Sequence, residues 1–368
     1  MILSVFVYSF MMMTTYFIGS LYNRSPKVIL FFLVFIFVLF SGIRYDVGVD
    51  YFAYKNLYES VLYYGNIELA DLGREDLEVG FVWLCHVLAF IKSPYAIFFM
   101  ACAAIQIIPI FYAFRNESYL FRYIIFLMIA SGQYFFFMNG MRQGIAFSFF
   151  VCALSFLKDK KWLWVVIYIY LASLFHTSII FLIPIVLLFV FKQALWVGNR
   201  WLRVVLILLS FMLPSILPIQ SLMSMVDGAI VLIGYTRYED VEELLVEQSL
   251  NFGPRSIISL LQGILVAYYA NNIEKKYDSI MFLMVFNLSF IGICLTPSFV
   301  FSRTLMRFTM YFTLFQFIVD SYLCAYLASL KRWGLLFFFM LLVSFYLWIT
   351  LYVSTGRDSI LWHFVPLS

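Results

Sequence analysis

Charge is scarce in this chain. Asp, Glu, Lys and Arg together make up 12% of its 368 residues, against 64% hydrophobic ones. With a mean hydropathy of +0.96, that shortage excludes a water-soluble globular domain, which carries about twice as much charge. Closely spaced cysteines are missing too: Cys85, Cys102, Cys152, Cys294 and Cys324 lie apart in apolar segments with no C-x-x-C, so neither disulfides nor thiolate metal sites are expected. There is no H-E-x-x-H, P-loop, G-x-S-x-G or Cys/His cluster. Nucleotide-driven chemistry and metal hydrolysis are therefore disfavoured, and no metal, cofactor or nucleic-acid partner is expected. The first apolar block, 2–19, has no basic leader and no small-residue cleavage site, and reads as a retained helix.

What is present is apolar length. Segments of spanning character recur near 2–19, 28–43, 96–114, 120–138, 142–157, 162–175, 177–191, 202–219, 255–271, 280–297, 304–328 and 334–353. They predict an all-α polytopic membrane protein with about 12 transmembrane helices. The chain reads as one integral membrane domain over 1–368, with outer loops near 44–77 and 220–254 that are too short to fold alone. One further apolar stretch, 78–91, carries Glu78 and His86; at about 21 Å it falls short of a roughly 30 Å hydrocarbon core and is expected to be re-entrant or interfacial.

Charge sorting supports leaving that stretch out. With it excluded, one face collects 14 of the 24 basic residues, including Lys158, Lys160, Lys161, Lys275, Lys276, Lys331 and Arg332, against four acids. The other face collects 15 of the 20 acids, and Asp320 lies within a helix. By the positive-inside rule the first face is cytoplasmic and both termini are outside.

The polar residues expected outside carry the candidate chemistry. Arg142 opens a helix after Asn139, Gly140 and Met141; Arg255 follows Gly253 and Pro254; Arg303 follows Ser302, with Arg307 one turn later. A helix N-terminus offers unpaired N–H groups and a positive dipole end, and arginine adds a planar fork of donors. Singly, such arginines anchor a protein at the interface. The gathering of Arg44, Arg142, Arg255, Arg303 and Arg307 on the outer side points instead to an anion site, suited to a phosphate or diphosphate. His176 lies at the bend of the short crossing between Trp162 and Phe191, and an ionisable group at membrane depth is a functional candidate. Asp50 and Glu78 flank the short stretch; they are either a salt-bridged loop scaffold or, like His176, a general base. Tyr51, Tyr54, Tyr235 and Tyr238 lie in the outer loops, where their rings could stack on sugars. The acids of 239–247 read as the solvated face of a short amphipathic helix.

Five motifs in order resemble the EpsG family of Wzy-like polysaccharide polymerases: R-Y-D-V-G-V-D-Y-x-x-Y from Arg44, E-x-G-F from Glu78, M-R-Q-G-I-A from Met141, F-H-T-S from Phe175, and R-x-x-x-R-F-x-x-Y from Arg303. The usual form of the first has Asn where this chain has Asp46. The resemblance implies a metal-independent glycosyltransferase of the bacterial cytoplasmic membrane, working on its outer face. It would move a growing glycan from undecaprenyl diphosphate to a sugar hydroxyl of the next lipid-linked repeat unit. Donor and acceptor are then undecaprenyl-diphosphate-linked oligosaccharides in membrane lipid, with a chain-length regulator as a further partner. Gln143, inside M-R-Q-G-I-A, joins the glycan-binding candidates. Two other classes stay open, a lipid-linked oligosaccharide flippase or secondary transporter, and a membrane acyltransferase acting on glycans.

Overall fold

A computed structural model describes residues 2–22, 24–65, 77–192, 198–216, 253–299, 303–353 and 363–364. Hydrocarbon offers no hydrogen bonds, so an apolar run satisfies its backbone by coiling on itself. The helices are α1 Ile2–Ser20, α2 Pro26–Gly42, α3 Tyr51–Tyr64, α4 Val79–Phe90, α5 Tyr95–Ala113, α6 Phe121–Ala130, α7 Gln133–Asn139 and α8 Met141–Lys158. They continue with α9 Trp162–Phe175, α10 Ile183–Lys192, α11 Arg200–Ile216, α12 Pro254–Tyr277, α13 Ile280–Phe299, α14 Arg303–Thr313, α15 Gln316–Ser329 and α16 Trp333–Val353.

Each of the twelve expected segments is largely helical over its described residues. Among the described residues, seven helices are long and apolar enough to cross a membrane, and up to eight if the bent pair 118–139 is one span. α2, α4, α9 and the stretch Thr177–Phe189 are apolar but shorter. The 12-residue α4 fills the stretch expected to be too short to cross.

Two expectations need correction. The segment near 120–138 is not one rod: α6 and α7 meet at a 74° bend. Gly132 sits there at φ +76°, a left-handed conformation that ends α6 and starts α7 in a new direction. The expected outer loop 44–77 also contains a helix, α3, closed by the left-handed Gly65 at φ 74°. Its buried stripe of Tyr51, Tyr54, Leu57, Tyr58 and Val61 has helical spacing, but its tyrosines made the segment read as polar. Tyr58 stacks on Phe98 with ring centroids 4.7 Å apart and donates its hydroxyl to the Ser93 carbonyl at 2.6 Å, which fastens α3 to the start of α5.

The described helices cluster as two compact units, 1–191 with 344–368, and 192–343. In the first, α8 packs against both α5 and α9. Gly144, Ala146, Ser148, Cys152, Ala153 and Ser155 are all buried on it; small residues let neighbouring backbones approach closely. Arg44–Tyr45 forms a short strand, β1, paired antiparallel with β2, His363–Phe364, in the register Arg44 to Phe364 and Tyr45 to His363.

The break between α7 and α8 leaves the last carbonyls of α7 without helical partners, and side chains from elsewhere cover those of Phe137 and Met138. Gln106 Nε2 on α5 donates to the carbonyls of Phe137 at 2.9 Å and Met141 at 3.1 Å. Arg44 Nη2 donates to the Met138 carbonyl at 3.0 Å. Gly48, at φ +94°, lies directly against the Asn139 amide, where a Cβ would come within 1.8 Å of Oδ1.

In the second unit, Gln262 on α12 and Gln316 on α15 both donate to the buried Asp320 carboxylate, the latter at 2.9 Å. Ser289 on α13 donates in turn to Gln316 Oε1. Arg203 on α11 is fully buried and donates from Nε to the Ala267 carbonyl at 3.1 Å.

Gly48→Ala is expected to lower unfolding stability in detergent micelles by about 2–4 kcal/mol, combining a left-handed backbone with a steric clash. Gly65→Ala, also left-handed but with nothing within 4 Å of the added carbon, should lose only about 1–2 kcal/mol.

Candidate functional site

The starts of α4 and α8 and the end of α9 meet at one carboxylate in the first unit. Glu78 is the residue preceding α4, Arg142 stands in the first turn of α8, and Tyr54 lies four residues into α3. His176 follows the last turn of α9 in an extended conformation, its N–H bonded to the Ala172 carbonyl at 3.0 Å. Glycines allow the approach. At Gly80 a Cβ would meet the Leu174 carbonyl oxygen at 2.8 Å, so only glycine lets α4 lie so close to the last turn of α9. At Gly144 a Cβ would meet Gln106 Nε2 at 2.8 Å, which sets α8 against α5.

Both oxygens of Glu78 are committed. Oε2 accepts from Arg142 Nη1, and Oε1 lies 2.6 Å from His176 Nδ1. The side chains of Glu78, Arg142 and His176 are 11%, 8% and 20% exposed, so all three are largely buried and the imidazole is the most accessible. Hydrogen bonds between ionised groups at such burial are among the strong ones. On its other side, His176 Nε2 lies 3.0 Å from the side-chain nitrogen of Gln143. A carboxylate only accepts, so Nδ1 carries the ring proton; an amide nitrogen only donates, so Nε2 carries the lone pair. The contacts thus orient the ring of His176, with Nδ1 toward Glu78 and Nε2 toward Gln143. It is held at both nitrogens by residues that α8 positions, Gln143 directly and Arg142 through Glu78. Tyr54 lies beside the cluster: burial pushes its phenol above the ordinary value, while the nearby Arg142 cation draws it back.

The other candidates fall elsewhere. Arg44 is 1% exposed; its guanidinium lies 4.8 Å from the Phe99 ring centroid and 5.8 Å from that of Tyr51. Burial lowers its pKa from the ordinary guanidinium value. Tyr51 and Tyr54 are 0% and 8% exposed; their rings pack against those of Phe99 and Phe81, so the outer stacking surface expected of them is spent inside the protein. Asp50 is partly exposed just before α3, and Asp46 is exposed at φ +50°. Arg255 is exposed near the start of α12, while Arg303 and Arg307 belong to α14; all three are in the second unit. Tyr235, Tyr238 and the acidic stretch 239–247 lie outside the described residues. Among the described residues no group of three or more His, Cys, Asp or Glu side chains could hold a metal ion.

Sequence reasoning missed Gln106. Its signal was a lone amide within the apolar run of α5, a residue that must find partners when buried.

If Arg142 and Glu78 neutralise each other, removing either alone is expected to lose about 3–5 kcal/mol of stability against denaturing detergent, because it strands a buried charge. The double replacement Glu78→Leu with Arg142→Met should recover most of that loss, and a double-mutant cycle of unfolding in mixed micelles measures it.

Compared with known families, the chain matches the EpsG family over residues 27–364, nearly its whole length. The comparisons with curated proteins and with solved structures found no match.

Proposed function

The chain belongs to the EpsG family, and from that premise and the Glu78–His176 contact we propose how a multi-pass membrane protein of the polysaccharide-polymerase type carries out glycosyl transfer. The donor in this reading is a glycan on undecaprenyl diphosphate, and the acceptor is a sugar hydroxyl of the next lipid-linked repeat unit, at the outer face of the bacterial cytoplasmic membrane. The acceptor oxygen attacks the anomeric carbon of the donor. The bond from that carbon to the diphosphate oxygen breaks, and the lipid diphosphate leaves with the electron pair. The acceptor proton passes to His176 Nε2, the nitrogen left with its lone pair once Nδ1 donates to Glu78.

Glu78 is in this reading the group that orients the imidazole and stabilises its charged form, as the carboxylate does in a catalytic triad. Its two oxygens are engaged by Arg142 and His176, which argues against Glu78 itself as the base. Arg142 holds Glu78 and keeps one buried N–H, at Nε, without a hydrogen-bond partner. In the first turn of α8 it adds its charge to the positive end of the helix, the setting that favours a developing diphosphate. Arg255, Arg303 and Arg307 of the second unit carry the same expectation of anion binding. Arg44, sealed against Phe99 and the Met138 carbonyl, is better suited to holding the fold.

The observation that carries the proposal is the 2.6 Å contact of Glu78 with His176, which prepares a base in a family of polymerases. Purified protein supplied with lipid-linked repeat units should build a ladder of longer lipid-linked glycans. His176→Gln is expected to slow it by about 10²–10⁴-fold, the usual contribution of a general base, and Arg142→Ala or Arg303→Ala, checked for folding and insertion, should abolish it. A ladder from His176→Gln at the wild-type rate would remove the base assignment. Full-length polymer from both arginine variants would remove the diphosphate assignment.

A further inference from the structure

Gln143 is held to His176 by its amide nitrogen, and its amide oxygen faces the space left by Gly140. Its nitrogen lies 3.0 Å from His176 Nε2, and its Oε1 rests over Gly140, where a Cβ would come within 3.2 Å. In this arrangement the amide N–H points at the same lone pair that the reaction needs, so the base is covered while no acceptor is present. Both Gln143 and His176 are partly exposed, whereas Arg142 beside them is buried; an incoming hydroxyl therefore meets Gln143 and His176 first.

We propose that Gln143 selects the acceptor, giving up His176 Nε2 to the attacking hydroxyl and binding the hydroxyl on the neighbouring carbon of the same sugar. Two polar groups one hydrogen bond apart match a vicinal diol, whose oxygens are also about one hydrogen bond apart. The attacking oxygen replaces the amide as donor to Nε2. The released amide keeps a donor and an acceptor, and a hydroxyl answers either one. The ligand class is a sugar carrying a free hydroxyl next to the one that is glycosylated. This selection rests on His176 receiving the acceptor proton.

The test uses the full-length protein in lipid nanodiscs with two acceptors: the natural lipid-linked repeat unit, isolated from cells lacking this protein, and a synthetic counterpart with the neighbouring hydroxyl replaced by hydrogen. Wild type should lose about 10-fold or more in kcat/KM on the deoxy acceptor, the size of one hydrogen bond. Gln143→Ala should be slower on the natural acceptor, chiefly through KM, and should lose less than about 3-fold on the deoxy change, because the discriminating partner is gone. Gln143→Asn, one methylene shorter but still an amide, should restore part of the discrimination. A wild-type deoxy penalty carried unchanged by Gln143→Ala overturns the role of Gln143 while leaving the polymerase reading in place. No polymer from wild type on either acceptor overturns the polymerase reading, and the role of Gln143 with it.

Discussion

A helix that stops inside an apolar interior leaves carbonyls that water cannot reach, and the first unit contains such a stop at Gly140, between α7 and α8. Its cost is met by side chains from two distant segments. Gln106 covers the carbonyl of Phe137 and also reaches that of Met141 in the first turn of α8, and Arg44 covers that of Met138. With those groups satisfied, α8 can begin deep in the packing, and its first residues are Met141, Arg142 and Gln143. The positions of Arg142 and Gln143 depend on that stop, and the orientation of His176 depends on them.

The same economy of partners runs through the cluster. Glu78 is shared between Arg142 and His176, and His176 between Glu78 and Gln143. Sharing of this kind keeps the buried charges of the cluster matched, since an unmatched ion at this burial is expensive. Arg44 is the contrast: its Nε and Nη1 have no hydrogen-bond partner, and its cation faces the ring of Phe99. In the second unit Asp320 is matched by two neutral amides, a polar tie among α12, α13 and α15 of the kind that holds helices together where the hydrophobic effect between them is weak.

Much of the site could be named from composition and motif before its geometry was known. Glu78, Arg142, Gln143 and His176 all stood out as polar residues at the edges of apolar segments or within recurring motifs. Their roles could not be assigned that way. Glu78 and His176 were alternatives for one task, and the structure makes them partners in it. Tyr51 and Tyr54 read as loop tyrosines because α3 hides its buried stripe behind hydroxyl-bearing rings, and Arg44 read as a ligand contact because burial is invisible in a charge pattern.

The amino-acid sequence alone determined the helical membrane class and the places of its segments, because apolar length and helix-breaking glycines act locally, through backbone groups that a helix satisfies within a few residues. Only the tertiary structure decided which polar residues meet. Glu78 reaches Arg142 across 64 positions and His176 across 98, and Gln143 reaches His176 across 33. Those contacts depend on how closely α4, α8 and α9 pack, hence on the missing side chain of Gly80, where α4 meets α9. No local pattern encodes a distance between helices; it is set where their surfaces fit.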